Sequence, residues 1–132
     1  MLDPSVADAV VAEINAAGGI AAAWHENLED GGAGEHIIEF AISRYGRIDA
    51  LVNNAGLVVF ASLAETERTV WDRMVAIGIS APFDLAHAAI QHMRNQGYGR
   101  IVFTTSGTAM RVEDCVPGLA AYSAAKMARR SG

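Results

Sequence analysis

Tyr122 and Lys126 are the residues of this chain best suited to proton chemistry. They stand four apart, and on a helix residues four apart share a face. A phenol and an ammonium would then point the same way, and a neighbouring cation favours the phenolate. Such a pair can give or take a proton. The plainer alternative is a tyrosine and a lysine on a helix surface. Lys126 is also the sole lysine, against nine arginines. Overall composition explains why lysine is scarce, but not where the last one sits.

Two further groups could serve a ligand. Asn53-Asn54-Ala55-Gly56 follows an apolar run of strand type. In parallel α/β sheets ligands bind at the carboxyl ends of strands, where small residues let the backbone approach a flat molecule. Ser106, in Thr104-Thr105-Ser106-Gly107, ends another such run. Its hydroxyl could hydrogen-bond a substrate carbonyl, with Thr104 and Thr105 as competitors. An ordinary turn and an ordinary loop serine are the plain alternatives. His25, His36, His87 and His92 lack metal-ligand spacing. Cys115 sits in a loop with no base or helix beside it in sequence. Met74, Met93 and Met110 read as packing residues.

The elements that must hold these residues alternate. Asp3-Pro4 reads as a cap and first position of a helix carrying Val6, Val10, Val11 and Ile14, ended by Gly18-Gly19. Residues 20–24 form an apolar run of strand type, and 26–34 a Gly-rich loop. Ile37, Ile38, Ala41, Ile42 and Tyr45 make a helical stripe stopped by Gly46. Residues 48–52 read as a second strand and 66–77 as a helix. Ser80 and Pro82 look like the cap and first position of another helix, carrying Phe83, Ala86, Ile90 and Met93. Residues 100–105 make a third strand, and 120–130 a last helix. This alternation predicts an α/β fold with a parallel sheet. Its strands read as continuous apolar runs, as expected when both faces are covered.

Composition narrows the function. The 132 residues are 52% hydrophobic and 19% charged, so a core can form and general disorder is excluded. A net charge of −5 without a basic patch argues against a nucleic-acid partner. No run of about 18 uninterrupted apolar residues points to a membrane partner. One cysteine excludes an internal disulfide framework. The first residues lack the pattern of a secretory signal, and a cytoplasmic location is expected.

Taken together and in order, these residues resemble the short-chain dehydrogenase/reductase family over essentially all of 4–126. The resemblance runs through Gly46-Arg47-Ile48-Asp49-Ala50-Leu51-Val52-Asn53-Asn54-Ala55-Gly56, then Trp71-Asp72-Arg73, then Gly97-Tyr98-Gly99-Arg100-Ile101-Val102, then the Tyr122/Lys126 helix. Asn27-Leu28-Glu29-Asp30 matches where the family has Asp-Val-x-Asp beside the cofactor's adenine. Residues 22–32 and 96–102 are most similar to the dehydrogenase part of peroxisomal-type multifunctional enzymes acting on 3-hydroxyacyl-CoA. The resemblance implies a partial Rossmann-like parallel sheet, the equivalents of strands 3, 4 and 5, flanked by helices, in a single incomplete NAD(P)-binding domain over 1–132. It implies NAD or NADP as cofactor, and an alcohol or carbonyl substrate, with acyl-CoA among the candidates. It also implies a homo-oligomer.

Site roles follow from the same resemblance. Tyr122 would be the general acid/base. Lys126 would favour its phenolate and hydrogen-bond the nicotinamide ribose. Ser106 would orient the substrate carbonyl. Asn54, Ala55 and Gly56 would line the cofactor pocket, with Asn27 and Leu28 near the adenine.

The chain also departs from the family. The first strand, the Gly-rich phosphate turn and the second strand have no counterpart here, and neither Gly18-Gly19 nor Gly31-Gly32-Ala33-Gly34 replaces the turn. In the order 3-2-1-4-5-6 this leaves a gap of about 10 Å between 20–24 and 48–52. The first run must then collapse onto the second or stay loosely attached, with unpaired edges that favour association. Ile77-Gly78-Ile79 stands where the family has Val-Asn-Leu, whose asparagine holds a water near the lysine. Residues 111–115 look like a bulge in the substrate loop. Residues 128–132 lack the family's apolar continuation, an ending that a frameshift or premature stop would produce. An intact reading frame at the source locus would reject that idea. The expected alternative to an enzyme is a catalytically inactive remnant acting as an interaction module or having no function of its own.

Overall fold

The stripe of Ile37, Ile38, Ala41 and Ile42 needs a helix, and Gly46 can end one. The computed structural model describes residues 4–109 and 116–128, and in it this stripe lies on α2 (Ala33–Tyr45). Gly46 takes φ 75° and donates its N–H to the Ile42 carbonyl at 2.8 Å. That left-handed stop suits a residue without Cβ. Before it comes α1 (Pro4–Ala16). After it come β1 (Ala50–Asn53), α3 (Arg68–Val75), a π turn (Ala76–Ser80), α4 (Ala81–Asn95), β2 (Arg100–Phe103), a 3-10 turn (Gly107–Ala109) and α5 (Ala120–Met127). β2 pairs with β1 in parallel, Ala50 opposite Arg100 through Asn53 opposite Phe103. The segment from α3 to α4 is the crossover that a parallel pair requires.

The core forms where α2 and α4 meet the sheet. Ile38, Ile48, Leu85, Ala89 and Met93 are buried there. A second packed layer lies at the carboxyl ends of the strands, where α5 rests on α3, the π turn and the 3-10 turn. Its buried residues are mostly small: Gly78, Ala109, Ala121 and Ala125, with Met74.

The α/β reading holds, with four differences in detail. First, the sheet has two strands among the described residues, because 20–24 is not paired into it. An apolar run becomes a strand only beside a neighbour that takes its N–H and C=O groups. Here Ala21 N–H instead donates to Asn15 Oδ1 at 3.0 Å, and Ile20 is 83% exposed. Trp24 packs against α2, its ring 5.0 Å from that of Phe40. Of the two expected outcomes, collapse onto 48–52 is not the one observed: the run stays outside the sheet.

Second, Ser80 is no cap. It keeps helical φ −65° and ψ −53°, so α3 and α4 run on as one helix from Arg68 to Asn95. Pro82 has no N–H, and its ring would strike the carbonyl four residues back. The helix widens just before it: Ala81 N–H donates to the Ala76 carbonyl, five residues back. This 28-residue stretch passes the length and hydropathy test for crossing a membrane, which the sequence reading did not anticipate. A third of its apolar window is buried inside the protein.

Third, the strands are offset from their expected bounds. β1 begins at Ala50, leaving Ile48 as a core residue before the ladder, and β2 stops at Phe103. Fourth, α2 begins at Ala33, inside the expected loop. The expected Asp3 cap, the bulge at 111–115 with Met110 and Cys115, and the helix end at 129–132 lie outside the described residues.

Candidate functional site

Parallel pairing brings both strands to the same edge of the sheet, and the chain there is tied together residue by residue. Thr104 follows β2, and its N–H donates to the Asn53 carbonyl at 3.1 Å. The Thr104 hydroxyl donates to Asn54 Oδ1 at 3.1 Å, joining the two strand ends. Lys126 reaches back from α5, and its Nζ donates to the Thr104 carbonyl at 3.0 Å. The Thr105 hydroxyl donates to the Lys126 carbonyl at 3.3 Å. The end of β2 is therefore strapped to α5 by both the side chain and the main chain of Lys126.

Lys126 is 5% exposed. A buried ammonium is costly unless hydrogen-bonded, so its fixed place is a structural commitment. Its Nζ lies 5.7 Å from the Tyr122 ring centroid, as the four-residue spacing requires. A Cβ built on Gly56 would stand 3.3 Å from the same Nζ, so glycine leaves the ammonium room on that side. Tyr122 is half-buried on the same helix. Ser106 enters the 3-10 turn that packs on α5, and its Oγ pairs with Thr108 Oγ1 at 3.1 Å.

Beside this cluster is a cleft of about 180 Å³ whose walls include Leu28, Asn54, Ala55, Ile77, Pro82 and Leu85. Leu28 is held over it by a turn. Asn27 Oδ1 accepts the Glu29 N–H at 3.2 Å, and the Asn27 carbonyl accepts the Asp30 N–H at 3.0 Å. Asn27 thus supports the cleft wall from behind. Arg73 grips Glu29 with Nε at 3.1 and 3.0 Å and Nη2 at 2.9 Å. Hydrogen bonding to that guanidinium, with its charge, holds the Glu29 carboxyl below the usual carboxylate range against some desolvation.

The site residues expected from sequence therefore fall into three groups. Asn54 and Lys126 meet at Thr104, with Gly56 and Tyr122 beside the Lys126 ammonium. Leu28, Asn54 and Ala55 line the cleft, with Asn27 behind them. Ser106 stands apart in its own hydroxyl pair. Two participants were missed. Thr104 entered only as a competitor of Ser106, although its place at the strand end was a signal. The Glu29–Arg73 pair spans 44 positions and left no trace in local spacing.

Gly78 has a definite reason to be glycine. A Cβ there would stand 2.9 Å from Ala125 Cβ, closer than packed carbons come. The residue before Lys126 has moved in where an asparagine side chain would begin. Among the described residues no three His, Cys, Asp or Glu side chains gather to hold a metal. The cleft suits a flat apolar ring at its Leu28 side, and the ammonium suits hydroxyl or carbonyl oxygens. The Gly-rich entry to α2 follows the turn at 27–30 and not a strand, so the described residues contain no strand–turn–helix cradle for phosphates.

Comparison with known proteins converges on one group. A family profile described as short chain dehydrogenase matches residues 2–131. The peroxisomal multifunctional enzyme type 2 of Mus musculus is 39% identical over 123 residues, 93% of this chain and 16% of that enzyme. The 3-oxoacyl-(acyl-carrier-protein) reductase of Synechocystis sp. is 36% identical over 122 residues, 92% of this chain and 48% of that one. A metagenomic short-chain oxidoreductase solved in complex with NADP aligns with TM-score 0.86 and 31% identity, covering 96% of this chain and 56% of that one. NAD+-bound xylitol dehydrogenase aligns with TM-score 0.85 and 26% identity, covering 96% and 48%. The chain thus spans about half of the reductase and of the two solved structures, and 16% of the mouse enzyme.

Proposed function

The chain belongs to the short-chain dehydrogenase family, and from that premise we propose that it is an NAD(P)-dependent oxidoreductase acting on an alcohol or carbonyl, with Tyr122 as the general acid/base. The observation that carries this reading is Lys126, buried and held by the Thr104 carbonyl at the strand ends, with the Tyr122 ring beside it. When bound, the nicotinamide supplies or takes the hydride. The chain's own residues manage the proton and the positions. Tyr122 passes a proton to or from the substrate oxygen. Lys126, held beside the Tyr122 ring, would offer its ammonium to the ribose hydroxyls. Ser106 turns its hydroxyl from Thr108 to the substrate oxygen. Asn54, Ala55 and Gly56 would line the nucleotide's path, and Leu28, held by the Asn27 turn, would flank the adenine. The names of the multifunctional and 3-oxoacyl relatives make acyl thioesters the first substrates to try.

Titrating the purified chain with NADH and NADPH tests the reading, followed by energy transfer from Trp24 and Trp71. Saturable binding is expected. No binding up to millimolar nucleotide by a chain shown to be folded sinks it. Given turnover, Tyr122→Phe is expected to lower it about 10²- to 10⁴-fold while binding persists. Undiminished turnover would remove Tyr122 from the mechanism.

A second reading is a catalytically inactive member that serves as an interaction module. It is favoured by the exposed Val6, Val10 and Ile14 on α1, together with Ile20 and Val52, and by the phosphate cradle missing among the described residues. The same titration separates the two.

A further inference from the structure

Glu29–Arg73 differs from the other ion pairs among the described residues. In the other four the acidic side chain is 47–61% exposed, whereas Glu29 is 21% exposed. The pair is bidentate, the geometry in which guanidinium and carboxylate match best. It is also placed between the two sides of one cleft. Glu29 follows Leu28, which forms one wall. Arg73 lies one helical turn before Ile77, which forms another, and the Arg73 carbonyl accepts the Ala76 N–H at the entry to the π turn. The Asn27 turn shapes the loop locally, Glu26–His36 ties it to α2, and Glu29–Arg73 ties it to α3.

We propose that Glu29 and Arg73 are a positioning pair that fixes the distance between the Leu28 and Ile77 walls, and so sets the affinity of the cleft for a flat heteroaromatic ring. The inference rests on the proposed function, in which that ring is the adenine of the nucleotide. Neither residue touches the reacting atoms. Their effect reaches the ligand through Leu28 on one side and Ile77 on the other.

The probes are NADH and ADP-ribose, which shares the adenine end and lacks the nicotinamide. Arg73→Gln is expected to raise the Kd of both about two- to fivefold, the range of a well-formed but partly exposed ion pair. High salt should raise the wild-type Kd toward that of the variant and leave the variant less affected. The exchanged pair Glu29→Arg with Arg73→Glu should restore most of the affinity. Amide hydrogen exchange should quicken in 26–32 in Arg73→Gln and slow again in the exchanged pair. If the wild type binds neither probe, the proposed function fails and takes this inference with it. If the wild type binds and Arg73→Gln binds equally well, the inference alone falls. It also falls if the exchanged pair stays weak, or if exchange quickens throughout the chain, because the pair would then only stabilise the fold.

Discussion

The two packed layers of this protein are built from different materials. Between α2, α4 and the sheet, Ile38, Ile48, Leu85 and Met93 fill the space with long aliphatic side chains. Between α5 and the π turn, Gly78, Ala121 and Ala125 let backbones approach, and little apolar area is involved. The first layer stabilises by the area it removes from water. The second contributes less by area but fixes where Tyr122 and Lys126 stand. The first should be sensitive to atoms taken away, and the second to atoms added.

The largest effect should come from emptying the first layer. Leu85→Ala is expected to cost about 2–5 kcal/mol, the lost transfer energy plus the cavity. Chemical denaturation measures it, and a loss below about 1 kcal/mol would mean that the layer collapses around the gap. The next effect comes from filling the second layer. Gly78→Asn is expected to cost about 1–3 kcal/mol by overpacking against Ala125, and to weaken nucleotide binding by displacing Lys126. Adding Ala125→Gly should recover part of both losses. If Gly78→Asn alone were stable and bound nucleotide better, the close contact would not be what keeps glycine there.

The smallest effect lies at the rim of the first layer. His36, in the first turn of α2, is paired with Glu26 at 3.0 Å, and that hydrogen bond raises the imidazole pKa. A raised folded-state pKa contributes stability that is complete below the ordinary histidine value and is lost as pH rises through the raised one. The difference in Tm between wild type and His36→Gln should therefore be small, positive in mild acid, and vanish in mild alkali. A difference that grows with pH would reverse the assignment.

Much of this was legible in the chain itself, for identifiable reasons. α2 announced itself by its stripe and its glycine stop, both local signals. The Tyr122/Lys126 face and the Asn54–Gly56 turn were legible because spacing and strand ends carry them. The apolar run at 20–24 misled because strand character depends on a neighbour that the run itself does not contain. Ser80 and Pro82 misled because they match a helix start, while a π turn lets the proline stay inside a continuous helix. The partners of Thr104 and the Glu29–Arg73 pair were hidden because they lie far along the chain, and only the fold brings them together.

The burial of Lys126 has a practical consequence for labelling. It is the sole side-chain amine in the sequence, and it is shielded inside the site. An acylating reagent would reach Lys126 only when α5 lifts from the strand ends. The rate at which Lys126 is labelled is then a clock for local opening of that helix. A molecule that seats itself against the ammonium would slow this clock. Mass spectrometry of the intact protein could thus follow occupancy of the site without any assay of turnover.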